Sequence, residues 1–341
     1  MPTRFGHITP PDPAWLARAP AEDVLDPDLP IVDAHHHLWQ RPDQRYLLED
    51  YLADLHTGHA TVASVFLQCH AMYRASGPAA LRPVGETEFV AGIAARSDSG
   101  HYGPSRIAAG IVGFADLTLG EAVEPVLEAH IRAGGGRFRG VRHSANWDAD
   151  PAIGNGAAAP GLYPRADFRA GLRRLAALGL TLDAWTFHPQ LPEITALARA
   201  VPEAQLIVGH CGGPLGYGRY AGHGDEVFAG WKSAVTDLAR CPNVAMKLGG
   251  MMMRLAAFDY GTASAPPTSA ALAALWRPWI ETCIELFGPD RCLFESNFPV
   301  EKMGIGWVAL WNAFKRLAAG ASATEKQALF AGTARRVYRL E

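Results

Sequence analysis

Eight short apolar runs, alternating with longer stretches of helical periodicity, constrain this chain more than any other feature. They are IVDAHHH (31–37), TVASVFLQCH (61–70), RIAAGIVGFAD (106–116), RFRGVRHS (137–144), LTLDAWTF (180–187), AQLIVGHC (204–211), NVAMKLGG (243–250) and RCLFESNFP (291–299). Between them, Val123, Val126, Leu127 and Ile131 fall at helix spacing, as do Leu172, Leu175 and Leu178, and Ile194, Leu197 and Ala198. Near-continuous apolar strands, each followed by an amphipathic helix, imply a parallel sheet covered by helices. Eight such units predict a single-domain (β/α)8 TIM barrel over residues 30–341, preceded by a proline-rich leader over 1–29. An open doubly wound sheet is the runner-up. The glycine-rich GGPLGYG (212–218) matches neither a dinucleotide fingerprint nor a P-loop and gives that option no support.

Polar residues collect at the C-terminal ends of the predicted strands, where barrel enzymes carry their chemistry. His35 and His37 are two apart on an extended strand, so they share a face and present two imidazoles to one metal. Asp33 has the same predicted facing and suits an acceptor behind the ligands, while His36 points the other way. His70, His143, His188 and His210 mark four further strand ends. Five of eight strands ending in histidine predict a metal centre.

Glu88, in the first helical turn after the second strand, is a candidate ligand, and Glu86 beside it suits the helix dipole. Arg139 and Arg142 share a face of the fourth strand and, with Lys247, are candidates to bind an acidic group on the substrate. Trp185 is placed to line an apolar pocket. Met251, Met252 and Met253 follow the seventh strand as a pocket wall or a gap filler.

A net charge of −3 leaves no basic footprint for nucleic acid, and no apolar run is long enough to span a membrane. The N-terminus does not read as a secretion signal. Five scattered cysteines without a CxxC pair point to reduced thiols, hence a cytoplasmic protein. The partner expected is a small-molecule substrate; a homo-oligomer is compatible with all of this.

Taken together, DAHHHLW, RFRGVRH, LIVGHCGGP and RCLFESNFPV resemble the motifs of the amidohydrolase-2 family of TIM-barrel metal-dependent hydrolases, from about residue 30 to the C-terminus. The resemblance implies that His35, His37, His188 and His210 bind metal and that His143 stands near a bridging position. It also exposes a departure. Hydrolytic members place an aspartate at the end of strand 8, as ligand and proton acceptor, where this chain has Asn297. An amide can ligate through oxygen but cannot act as a general base.

QCHAMYR, GETEF and ESNFPV are similar to a branch in which dinuclear non-haem iron hydroxylases are known, one acting in platensimycin and platencin biosynthesis. That similarity implies two metal ions, iron by preference with zinc or manganese as alternatives, and O2 as co-substrate. The metal set would be His35, His37, Glu88, His188, His210 and Asn297, with Asn297, Glu88 and His143 in catalytic roles. The first reading is therefore a diiron monooxygenase that hydroxylates an apolar acid or thioester and draws on a reductase or other reductant. The alternative is a metal-dependent hydrolase of a lactone or amide, its base supplied by His143, Glu88 or Glu295. A catalytically silent barrel is the third reading, and the intact histidine set opposes it.

Overall fold

The computed structural model describes residues 10–252 and 263–340. Eight parallel strands appear in the expected order: β1 (Ile31–His36), β2 (Thr61–Leu67), β3 (Arg106–Gly113), β4 (Phe138–Ser144), β5 (Thr181–Trp185), β6 (Leu206–Val208), β7 (Val244–Leu248) and β8 (Cys292–Phe294). Each hydrogen-bonds its sequence neighbours. Around them lie α1 (Leu48–Leu55), α2 (Val84–Asp98), α3 (Glu124–Ala133), α4 (Ala166–Ala177), α5 (Leu191–Ala200), α6 (Gly224–Ala239), α7 (Ser269–Phe287) and α8 (Trp307–Leu317). The (β/α)8 expectation is met. The first turn of α7 is capped by the Thr268 hydroxyl accepting from Ala271 N. Met251 and Met252 are buried core; Met253 lies outside the described residues.

Closure between β1 and β8 does not run through β8 itself. The segment just beyond it makes the join: Asn297 N donates to His35 O at 2.8 Å and His37 N to Phe298 O at 2.8 Å. Several strands end earlier than their apolar runs because the next residues leave extended space. His70, His210 and Asn297 have φ of 61°, 55° and 53°, the left-handed region that non-glycine residues enter at a cost of about 1–2 kcal/mol.

A bulge in β1 corrects the simple alternation expected of Asp33. Asp33 pairs with Ser64, but His36 pairs with Phe66, so three steps on β1 oppose two on β2. The facing therefore shifts by one. Val32 and Ala34 pack inside the barrel with Ile207, Ala245 and Leu293, and His35 and His37 also turn in. Asp33 and His36 turn out. The Asp33 carboxylate accepts from Tyr51 Oη at 2.7 Å, Ser296 Oγ at 2.6 Å and Ser296 N at 2.8 Å, tying the bulge to α1 and to the closing segment. His36 stacks on Tyr51 and bonds Ser64 Oγ at 3.0 Å.

The barrel interior is apolar at its N-terminal end and charged above. Lys247, fully buried, pairs with Asp183 at 2.9 Å, and Asp183 also accepts from Tyr338 Oη at 2.7 Å. Tyr338 arrives from the C-terminal helical segment that plugs the bottom. Ser322 opens that segment with the expected capping box to Glu325. At the other terminus, the described part of the leader docks on the outside: Glu22 accepts from Ser269 N at 2.6 Å, and Leu25 N donates to Asn312 Oδ1 at 2.9 Å. Among the described residues no helix is long and apolar enough to cross a membrane.

Candidate metal centre

Three imidazoles converge at the C-terminal mouth of the barrel, each with its tautomer set from behind. His37 Nδ1 lies 2.7 Å from the Leu67 carbonyl, which can only accept, so the proton is on Nδ1. His210 Nδ1 is 2.7 Å from Glu295 Oε1, and His210 N donates to the same oxygen at 3.0 Å. His35 Nδ1 is 2.6 Å from Glu295 Oε2. Lys247 Nζ, a donor only, also stands 3.5 Å from His35 Nδ1, but the carboxylate is much the nearer neighbour, and two facing lone pairs at 2.6 Å would repel, so the proton is assigned to Nδ1. One buried carboxylate thus orients two histidines, and all three present a bare Nε2.

Burial pushes the pKa of His35 well below the ordinary value, with Lys247 adding to the effect. Burial and then Arg142 do the same to His37. Both rings are neutral at physiological pH, as ligation requires. Burial pushes Glu295 up, but His210 and His35 against its oxygens bring it well below the usual carboxylate range.

The arrangement fits a divalent ion. His35 Nε2 and His37 Nε2 are 3.2 Å apart, and with both protons on Nδ1 neither can donate to the other. Two lone pairs held this close are explained by a cation between them. His35, His210 and Glu295 offer ligand atoms within 4.8 Å of one another. Glu295 spends its oxygens on Nδ1 protons, so its part is to orient the ligands and not to bind the ion. Imidazole nitrogen suits zinc among other transition metals.

The pocket beside these rings is lined by His37 and His210 together with Arg142, Ser144, Asn146, Trp185 and Asn297, and His35 adjoins it through His37, their Nε2 atoms 3.2 Å apart. Arg142 Nη1 stands 3.4 Å from His35 Nε2, and its Nε donates to Gln68 Oε1 at 3.1 Å. Trp185 meets the His210 ring edge-on, with centroids 4.6 Å apart. Asn297 reaches the pocket through its left-handed backbone, and its Nδ2 donates to buried Glu301 at 3.3 Å. The group Asn297 has left to offer is its carbonyl oxygen.

Other expected members lie elsewhere. Glu88 is half exposed and paired with Arg74, Nε to Oε2 at 3.1 Å. The inward place on α2 belongs to Glu86, which accepts from Cys69 N at 2.9 Å and Ala71 N at 2.8 Å. His188 does not line the metal pocket: its Nδ1 accepts from Leu215 N at 3.2 Å and its ring packs on Tyr220, so it braces two loops. His143 alternates with Arg142 and faces the helices, between Phe114 and Phe168. Arg139 sits at the other end of β4, donating to Gly136 O at 2.7 Å. Lys247 is sealed beneath the histidines and cannot reach a substrate. The two-ion expectation loses Glu88 and His188 with these placements. Among the described residues the geometry gathers ligands for one ion.

Sequence reasoning missed what makes room for the site. A Cβ on Gly250, where φ is +64°, would fall 1.9 Å from His210 Nδ1, and one on Gly249 would fall 2.7 Å from Glu295 Cγ. The Gly-Gly pair directly after β7 was the available signal. It marks a strand end where side chains from β6 and β8 close over the backbone.

The family profile that matches residues 32–340 is described as Amidohydrolase. The uncharacterized protein y4mH of Sinorhizobium fredii is 32% identical over 335 residues, covering 92% of this chain and 99% of that protein. The L-fucono-1,5-lactonase of Burkholderia multivorans is 29% identical over 329 residues, covering 91% and 96%. A crystal structure of an amidohydrolase from Burkholderia multivorans with bound zinc superposes with a TM-score of 0.71 at 26% identity, over 91% of this chain and 99% of that one.

Proposed function

The chain belongs to the amidohydrolase family, and from that premise we propose that it is a metal-dependent hydrolase that opens a small lactone. The observation that carries this reading is the clustering of three buried imidazoles, His35, His37 and His210, beside the Arg142 guanidinium at the barrel mouth. The lactonase relatives support the lactone, and the zinc-bound neighbour supports zinc over iron.

His35, His37 and His210 would hold a divalent ion, which would supply Lewis-acid chemistry for polarising a carbonyl and activating water. Arg142 is placed to hold the carbonyl oxygen as charge develops on it. Asn297 Oδ1 is placed to accept a hydrogen bond from the attacking water and fix its direction; the water's proton passes to solvent as the C–O bond forms, and the ring oxygen expelled as the ester C–O bond breaks takes a proton back from solvent. Among the described residues no carboxylate lines this pocket. That favours an ester over an amide, since an alkoxide leaves without the strong general acid an amine needs. The five free, buried cysteines fit a reducing compartment, and we assign the enzyme to the cytoplasm.

The test is ring opening by the zinc-loaded protein across a panel of sugar and aliphatic lactones, read as proton release. Turnover should vanish in His35→Ala and His210→Ala. Asn297→Asp, which restores a base, should raise it by about tenfold or more. The second reading, an iron and O2 hydroxylase fed by a reductant, rests on Asn297 and on the likeness of QCHAMYR, GETEF and ESNFPV to the hydroxylase branch. Substrate-dependent oxygen uptake by the iron-loaded protein, with every lactone left intact, would replace the hydrolase by it.

A further inference from the structure

Beside the metal pocket lies a second chamber that shares Ser144 and Gly156 with it. The metal pocket measures about 220 Å3, below the ~300–1,000 Å3 usual for sites that enclose a small ligand. The second chamber adds about 340 Å3 and brings the pair into that range. Arg142 and Gln68 are bonded across the boundary, so one residue of each chamber fixes the other.

The chemistry of the outer chamber differs from that of the inner one. Phe114 forms its floor, flanked by the rings of His70 at 6.2 Å and His143 at 5.1 Å. Its opposite wall is the loop GAAAPG (156–161), whose side chains are too short to fill the space. No carboxylate lines it among the described residues; its polar groups are Gln68, Ser144, Arg165 and the two imidazoles, and between them Phe114, Ala157, Ala158, Ala159, Pro160 and Leu162 give it a mainly apolar lining. Aromatic edges and methyl groups suit a flat, apolar ring.

The joint between the chambers carries an unmet acceptor. Asn146 is buried, and its Oδ1 has no hydrogen-bond donor among the described residues. Gly156 stands against it: a Cβ there would fall 2.2 Å from that oxygen. The passage is therefore kept by a glycine and marked by a polar atom awaiting a donor.

We propose that the substrate is a lactone bearing an aromatic substituent, its ester ring in the metal pocket, its aryl group on Phe114, and a hydroxyl or N–H between them donating to Asn146 Oδ1. The lactone half rests on the function proposed above; the aryl half rests on the outer chamber.

Binding, measured apart from turnover, tests the aryl half. Isothermal titration of the zinc-loaded protein with γ-hydroxy-γ-phenylbutyrate and γ-hydroxybutyrate, both ring-opened acids, compares ligands that differ by the phenyl group. The phenyl acid should bind about tenfold tighter or better. That advantage should shrink to about twofold in Phe114→Ala and in Ala158→Trp, the second of which fills the chamber from an exposed loop and leaves the fold intact. Equal affinities in the parent protein, or an undiminished advantage in Ala158→Trp, would overturn the proposal. A phenyl preference that persists while neither lactone is opened would keep the chamber and remove the hydrolase reading.

Discussion

Glu295→Gln tests the tautomer argument at its centre, with almost no change in shape. Glu295 Oε1 receives two donors, His210 Nδ1 and His210 N, at 2.7 and 3.0 Å. The glutamine oxygen will take that place, because an amide NH2 there would face two donors. The NH2 then replaces Oε2 and confronts His35 Nδ1, 2.6 Å away in the parent protein. His35 must give up its Nδ1 proton to accept from the amide, and its proton moves to Nε2. There it points at His37 Nε2, 3.2 Å off, and an N–H···N bond closes the gap that the ion would occupy. Losing an outer partner of a metal ligand costs roughly 10–100-fold in affinity. Here one ligand is lost and a competing bond gained, so the upper end applies, about 2.7 kcal/mol. Competition against a fluorescent zinc indicator reads this directly on the metal-free protein, and long-range imidazole NMR correlations report the tautomer. Zinc affinity within threefold of the parent, with His35 still protonated on Nδ1, would refute the reasoning.

Gly250→Ala should act on the same ligand from the other side. A methyl 1.9 Å from His210 Nδ1 must displace the ring, and φ of +64° adds about 1–2 kcal/mol of backbone cost. Zinc affinity should fall about tenfold or more while circular dichroism stays that of a folded barrel; unchanged affinity would mean that His210 is not a ligand. Stability should fall with acid. Burial lowers His59, with Lys315 beside it, and lowers His130 and His143, each from 6.5 to about 4. The unfolded chain therefore binds more protons between pH 6.5 and 4. The stability these neutral rings contribute is complete above 6.5 and drains by about 1 kcal/mol per pH unit per residue as pH falls through that window. The melting temperature of the metal-free protein should drop from pH 7 to pH 5, and His130→Gln should flatten the slope. A melting temperature level over that range would contradict buried neutral imidazoles.

The barrel was legible because eight apolar runs and their helical partners repeat a single pattern, and that pattern survives local irregularity. His35, His37 and His210 were legible for a related reason: a strand end fixes position to within a residue. What failed was facing. Asp33 was misplaced because one bulge inverts alternation, and no residue type in IVDAHHH announces it. Glu88 was preferred to Glu86 because a carboxylate in a first helical turn gives no sign of which side of the helix meets the strand. His188 sits beyond the end of β5, where the chain has already turned away. Arg139 and Lys247 share their faces with true site residues but lie deeper in the barrel, and periodicity carries no depth.

The seam between β1 and β8 has a kinetic consequence. It is held by His37 N to Phe298 O and Asn297 N to His35 O, so the amides that close the barrel belong to the residues that line its metal pocket. Every other pair of neighbouring strands is hydrogen-bonded strand to strand, whereas this join is made by the segment past the end of β8. Opening at the seam would draw His35 and His37 away from Asn297 and Phe298. An ion held by His35 and His37 would therefore also brace the closing joint of the barrel, so metal release and opening of the seam would be coupled.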